Sequence, residues 1–458
     1  VSELRVAWIG GATGGGGVGG FGRDLLRGLA ADPGVELTVF TLAEEGQVRG
    51  LMGDRAGDEA ADTRLTVLSC RPRWEWGRWY SRHPMGVFLS SFWARKQAHA
   101  RLIRRLVTEH RERPFDVVVQ FSQIELFGLR KRLKELPPVL LFPCVHAAGE
   151  LGWHRAEGRY ARRSESAWRH WIVRLNLMQR AWLQRRDTRA VAGVIGMSRR
   201  FNELIEQDYG IEPARQAVVY QPMAVGSPQA PASESTTSGG QAPAKRPVRL
   251  LYVGRISVRK GIEMLVELSH RLNDLAGQVE LKIIGGPSFW SDYSKHLADL
   301  NPAVGQWLGA RPHAEVVEHM AAADALVVPS HYEPGGIVVA EALAQGCAVV
   351  VTDEVGSAEP VSGPACRRFT AGDIEAFECA VRRLVEEMAQ TQFAQRIRVQ
   401  AREQAAGCFD PSATRRKLMK ILRLAAEGRT IAEAETDSPQ RRTSDTAHPS
   451  SELAASPA

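Results

Sequence analysis

The sequence predicts an α/β chain of two doubly wound domains, each built on a parallel sheet. Three observations carry that prediction. The chain has 458 residues, and single hydrophobic cores stop growing near about 250–300 residues. Short apolar, β-branched runs alternate with helical stretches, the pattern of βαβ units buried on both faces. The pattern stops once, in a polar stretch, and then restarts.

In the first half the strand-like runs are Leu4 to Ile9, Glu36 to Thr41, Arg64 to Leu68, Phe115 to Gln120, Val139 to Phe142 and Val194 to Ile195. From Ala224 to Pro247 Pro, Ser, Gly and Thr replace the apolar periodicity, as in a linker or surface insertion. RLLYVG, ELKIIGG, DALVVPS and AVVVTD then read as strands, with helices from about Lys260 to Leu275 and opening near Gly336. The expected units are 1–223, a linker over 224–247, a second domain over 248–410, a helix over 411–426 and a disordered polar tail over 427–458. The last helix has Asp410 placed as N-cap before Pro411 at the first helical position.

Composition is ordinary for a globular chain, with 44% hydrophobic and 24% charged residues. A net charge of +7 favours an anionic partner such as a nucleotide diphosphate, a lipid phosphate or an anionic membrane surface. Six cysteines without a CxxC argue against a disulfide scaffold or zinc site, and read as reduced, mostly buried residues of a cytoplasmic protein. VSELRVAWIGG lacks the form of a signal peptide, and no run nears the roughly 18 apolar residues of a membrane helix. A cytoplasmic location, at large or at the inner membrane face, is the expectation.

The first strand runs into GGATGGGGVGG and a helix. Glycines let backbone approach a phosphate closely, and a helix N-terminus favours an anion. A dinucleotide fingerprint is one reading, but the acids after the second strand, Glu44 and Glu45, follow a threonine-rich strand end and fit it poorly. In VPSHYEPGGIVVAEALAQG, Glu333 and Glu341 are eight residues apart with Pro334, Gly335 and Gly336 between them. A helix starting near Gly336 sets the two carboxylates around its N-terminus, where the amides of Gly335, Gly336 and Ile337 can receive a diphosphate. Arg255 and Lys260 follow the strand LLYVG and can neutralise a leaving diphosphate without a metal ion. No DxD pair occurs to hold Mg or Mn, so neither metal nor cofactor is expected.

An early GGVGGFGRDLL, followed by VGRISVRKG, IIGGP and ADALVVPSHYEPGGIVVAEALAQGCAVVVTDEVG, resembles the retaining family-4 (group 1) glycosyltransferases, whose hallmark is Glu-x7-Glu. The resemblance implies a GT-B fold, two Rossmann-like domains facing each other across a donor cleft, with the C-terminal helix returning to the N-terminal domain. It implies that Arg255 and Lys260 bind the donor diphosphate, Glu341 the ribose, and Glu333 the hydroxyls of the transferred sugar. Gly335, Gly336 and Ile337 would lie near the leaving group, Gly16 and Gly17 would close over the diphosphate, and His146 would stand beside the reacting sugar. Alone, His146 reads as a hydrogen-bonded core histidine. With no convincing nucleophile, front-face transfer is the expected route to retention. VVYQPM and SAEPVSGPACRRF depart from the family pattern, which leaves the sugar and base contacts open.

Rival readings are another nucleotide-sugar enzyme on this scaffold, such as an epimerase or phosphorylase, a nicotinamide-dependent dehydrogenase, and a non-catalytic sugar-nucleotide binder. The acceptor is not legible. Residues 71–105 and 151–190 hold eight of the eleven tryptophans, with nine Lys or Arg in the first stretch and ten Arg in the second. That mixture suits peripheral association with an anionic membrane or a lipid-phosphate acceptor, and equally a packed core with solvated arginines. No recognisable nucleic-acid-binding pattern is present.

Overall fold

The computed structural model describes residues 3–10, 17–52, 64–72, 92–164, 166–224, 246–287 and 292–435. Gly16, most of the 224–247 stretch and Trp74, Trp76 and Trp79 lie outside the described residues.

The N-terminal domain runs β1 (Leu4–Ile9), α1 (Gly17–Ala30), β2 (Val35–Thr41), α2 (Glu45–Met52), β3 (Leu65–Ser69), α3 (Phe92–Glu112), β4 (Val117–Ser122), β5 (Val139–Pro143), α4 (Ala147–Ala156), α5 (Gly158–Ser164), α6 (Ala167–Thr188), β6 (Gly193–Gly196), α7 (Arg199–Tyr209) and β7 (Gln216–Val218). The C-terminal domain continues with β8 (Val248–Val253), α8 (Ile262–Arg271), β9 (Val279–Ile284), β10 (Gly305–Gly309), α9 (His313–Ala322), β11 (Ala325–Val328), α10 (Ile337–Ala344), β12 (Ala348–Thr352), β13 (Cys366–Phe369), α11 (Ile374–Met388), α12 (Thr391–Cys408) and α13 (Pro411–Ala426).

Both sheets are parallel. Their orders are β3-β2-β1-β4-β5-β6-β7 and β10-β9-β8-β11-β12-β13, so each turns back on itself beside its first strand. In open α/β sheets that reversal is where ligands bind, outside the carboxyl ends of the strands. The two reversal points are the β1–α1 turn and the β8–α8 turn. The strands that carry them are largely buried apolar runs, with Val6, Trp8, Leu250 and Tyr252 at most 1% exposed.

Helix α13 begins as its sequence suggests, Asp410 accepting from the amides of Ser412 and Ala413. Its residues Leu418, Met419, Ile421, Leu422, Leu424 and Ala425 share one core with β1, β2 and α1 of the N-terminal domain. At about 1.5–3 kcal/mol per buried large side chain, this packing contributes on the order of 10 kcal/mol as an upper bound. The helix is part of that domain energetically.

Several expectations are corrected. The helix anticipated over Lys260 to Leu275 is α8, ten residues long, flanked by 3-10 turns at Val258–Lys260 and Asn273–Leu275. Residues 427–435, read as the start of a polar tail, instead pack: Ile431 and Ala434 are 3% exposed, and Glu435 accepts from the Val218 amide at 2.8 Å. Alternating Ile431 and Ala434 give this turn an apolar side that overall polarity hid. The six cysteines are free, but only Cys347 is buried; four are half-buried and Cys379 is exposed.

Candidate active site

The C-terminal wall of the cleft is one run of chain. Strand β11 ends at Val328, and Glu333 pairs its backbone with Val355 in an isolated parallel bridge. Gly336 caps α10 with φ +91°, a left-handed value that favours glycine. A Cβ there would also meet Ser357 Oγ at 2.8 Å. Ser357 holds this corner, its amide donating to the Gly335 carbonyl at 2.7 Å and its hydroxyl to the Gly336 carbonyl. With the carbonyls tied back, the amides of Gly335, Gly336 and Ile337 donate to no acceptor among the described residues. Free amides at a helix start form an anion site.

Lys260 ends the 3-10 turn after β8, and its ammonium is paired directly with the Glu333 carboxylate, both side chains about six-sevenths buried. Burial, then Arg259 and Arg255, push the Lys260 ammonium well below the usual lysine range. Arg255 is exposed at the mouth of the same turn. Glu150 of α4 opposes this cationic cluster from the facing wall. Glu341 sits on the fifth residue of α10, where burial raises its carboxyl pKa, His313 at the start of α9 opposes the rise, and Asp24 of α1 adds to it. Asp24 is itself raised by burial, against Arg27 and Arg23.

Across the cleft, Gly17 opens α1 so close to α10 that a Cβ would lie 2.9 Å from Ile337 Cδ1. The first residues of α1 and α10 therefore touch. His146 caps α4 with its side chain fully enclosed: Nδ1 lies 2.6 Å from the Tyr332 hydroxyl and Nε2 3.0 Å from an Asp208 oxygen. Tyr332 immediately precedes Glu333, so this contact ties the two walls together. The Tyr332 side chain rests on α4 where Gly149 has no side chain; a Cβ there would fall 2.3 Å from the Tyr332 hydroxyl oxygen and 2.5 Å from the ring carbon that bears it.

Of the residues singled out in the sequence, Arg255, Lys260, Glu333, Gly335, Gly336, Ile337 and Glu341 lie along one wall, Gly17 meets them, and His146 sits one tyrosine behind Glu333. Several contributors were not anticipated. Arg259 bonds the Tyr332 carbonyl at 3.3 Å, and its amide donates to Glu157 Oε1 at 2.9 Å. Glu157 Oε2 accepts from Tyr293 at 3.0 Å, and Tyr160 and Ala161 enter the C-terminal core. An N-terminal-domain segment thus supports the Lys260 turn from inside the other domain. Arg259 could be noticed beside Lys260; Glu157 leaves no local signal. The departures from the family pattern also acquire a place. Glu359, from SAEPVSGP, accepts the Arg199 and Arg200 amides at 2.8 and 2.7 Å, and Tyr220, from VVYQPM, donates to it at 3.0 Å. They bind the two domains to each other.

Two facing parallel-sheet domains with the site between them define the GT-B architecture, and solved structures share it. Sucrose-phosphate synthase from Thermosynechococcus elongatus superposes with a TM-score of 0.63 at 18% identity, over 92% of this chain and 98% of that one. Anabaena Alr3699/HepE in complex with UDP and glucose gives 0.58 at 17%, over 92% and 100%. Residues 236–404 match the family described as glycosyl transferases group 1. Among curated relatives, the glycogen synthase of Mycobacterium tuberculosis is 31% identical over 175 residues, 37% of this chain and 40% of the relative. The alpha-maltose-1-phosphate synthase of Mycolicibacterium smegmatis is 30% identical over 225 residues, 45% of this chain and 56% of the relative. The matches thus span about half or less of these relatives' length.

Proposed function

We propose that this chain is a retaining glycosyltransferase that moves a sugar from a nucleotide-diphosphate donor to an acceptor hydroxyl by front-face attack, without a metal ion. The observation that carries the reading is the meeting of Lys260, Arg255 and three unengaged amides at the start of α10, with Glu333 and Glu341 to either side. A diphosphate on those amides draws Lys260 away from Glu333, and Glu333 is then released to accept from sugar hydroxyls. Glu341 accepts from the ribose. The leaving phosphate, stabilised by Lys260, Arg255 and the helix end, takes the proton of the incoming hydroxyl. That UDP and glucose are named with one structural neighbour fits such a donor. The missing DxD pair and the cationic turn support metal independence. His146 acts in this reading by setting Tyr332, and through it Glu333, until the cleft opens to admit sugar. The acceptor is a glycan, a lipid-linked molecule or a small molecule.

The test is thermal unfolding of the purified chain with a panel of nucleotide sugars in EDTA, repeated with Lys260→Ala and Glu341→Ala. A ligand at 100 times its Kd stabilises by about 2.7 kcal/mol. One nucleotide sugar protecting the parent and neither variant is the expected outcome. Equal protection of all three proteins places the nucleotide elsewhere and ends the reading.

A further inference from the structure

Helix α6 has two apolar faces. Val173, Leu177 and Gln184 lie on the buried side. Trp168, Trp171, Leu175, Met178 and Trp182 are 58, 58, 43, 42 and 63% exposed. Their spacing of three, four, three and four residues keeps them in one line down the helix. At 100° per residue that line falls about 180° from the buried one and is roughly 21 Å long. Large apolar side chains scattered singly on a surface need no explanation, but a contiguous stripe of five does.

Charge decides what covers it. The helix carries Arg169, Arg174, Arg180, Arg185 and Arg186 and a single acid, Asp187. Asp187 is buried, accepting from the Leu126 amide at 2.9 Å and from Arg186 at 2.8 Å. Arg180 turns inward to Glu125 at 2.7 Å. Arg174 and Arg185 remain exposed beside the stripe, and the Arg186 guanidinium lies 5.3 Å over the Trp182 ring. A second copy of this helix would set arginines against arginines with no exposed acid on α6 to answer them. An anionic lipid surface answers both features, since tryptophan settles at the headgroup level and arginine reaches lipid phosphate.

We propose that α6 docks the protein on an anionic lipid surface, the Trp168–Trp182 stripe lying in the headgroup region and Arg174 and Arg185 on lipid phosphates. The inference stands independently of which reaction the cleft performs. It does bear on the cleft's setting. Gln184, on the inner side of the same helix, accepts from the Ala147 amide at 2.8 Å and from Tyr209 at 2.6 Å. The docking helix is therefore joined to the start of α4, one residue from His146, and the bilayer would lie beside the N-terminal wall of the cleft.

The test is sedimentation of the full chain with vesicles of phosphatidylcholine alone or mixed with phosphatidylglycerol, for the parent, for Trp168→Ser/Trp171→Ser/Trp182→Ser and for Arg174→Gln/Arg185→Gln. The stripe is exposed, so unfolding temperature and donor protection should match the parent in both variants; this separates failure of docking from failure of the site. The parent should bind mixed vesicles, more weakly as salt rises. The tryptophan variant should lose about tenfold or more in partitioning, and the arginine variant roughly fivefold per arginine. No binding of the parent to any vesicle, or binding unchanged in the tryptophan variant, overturns the proposal. So does a parent dimer in ultracentrifugation that the tryptophan variant dissolves, because the stripe would then be a contact between copies.

Discussion

The β1–α1 turn and the β8–α8 turn occupy the same place in two sheets of matching order, yet they are built from opposite materials. The first is nearly all glycine in sequence and leads into α1, whose first residue, Gly17, lies beside Ile337. The second presents Arg255 and then a tight 3-10 turn carrying Arg259 and Lys260, packed so closely that a Cβ at Gly261 would fall 1.9 Å from the Pro329 carbonyl oxygen. Topology fixes where a ligand can sit; side chains fix what it is. One turn gives access and the other gives charge, and neither alone makes a diphosphate site.

The largest effect should come from removing charge from the second turn. Lys260→Ala should lower kcat by about 10²–10³, the scale of losing one preorganised donor to a developing oxyanion, while unfolding measured by circular dichroism stays cooperative. If turnover survives within a factor of a few, the charge division between the turns is wrong. Next in size are the groups that hold the walls together. Gly149→Ala drives a methyl into the Tyr332 ring and should cost about 1–3 kcal/mol, whereas Gly152→Ala, three residues along the same helix with nothing within 4 Å, should be neutral or stabilising by up to about 1 kcal/mol. Denaturant midpoints of the pair measure the contact, and equal midpoints would show that it is not made in solution. Glu157→Ala leaves the Arg259 amide and the Tyr293 hydroxyl without their acceptor and should cost about 1–3 kcal/mol. It should also raise the donor KM more than it lowers kcat, since its effect reaches the donor only through the Lys260 turn.

The smallest effect is on stability at Glu341. Burial raises this carboxyl, so the folded state holds its proton more tightly than the unfolded chain does. That contribution is complete below the ordinary carboxylate pKa and is lost as pH rises through the raised one. Glu341→Gln, which cannot ionise, should therefore gain melting temperature over the parent as pH rises through that window, in the absence of donor. The same variant should lose donor protection. A parent and variant with parallel pH profiles would place Glu341 in an ordinary, solvated setting.

How much of this was legible depends on where along the chain the partners lie. Central strands such as β1, β4, β8 and β12 are buried on both faces and announce themselves as apolar runs. The strands the sequence did not reveal, β7 (QAV), β10 (GQWLG) and β13 (CRRF), are all sheet edges, where polar residues and an exposed Trp307 are tolerated. The site divides in the same way. Glu333 through Glu341 was readable because one turn and one helix contain it. The His146–Tyr332 contact joins residues 186 apart, and the Glu157–Arg259 bond residues 102 apart. Nothing local encodes either, and they are the bonds that set the walls of the cleft.

The most direct measurement is a crystal structure of the chain soaked with UDP. The diphosphate should sit on the amides of Gly335, Gly336 and Ile337, with Lys260 turned from Glu333 to the phosphate, Arg255 beside it and the ribose on Glu341. A diphosphate seated instead in the glycine turn after β1, with Lys260 still paired to Glu333, would contradict the division of labour between the two turns and the proposed reaction with it.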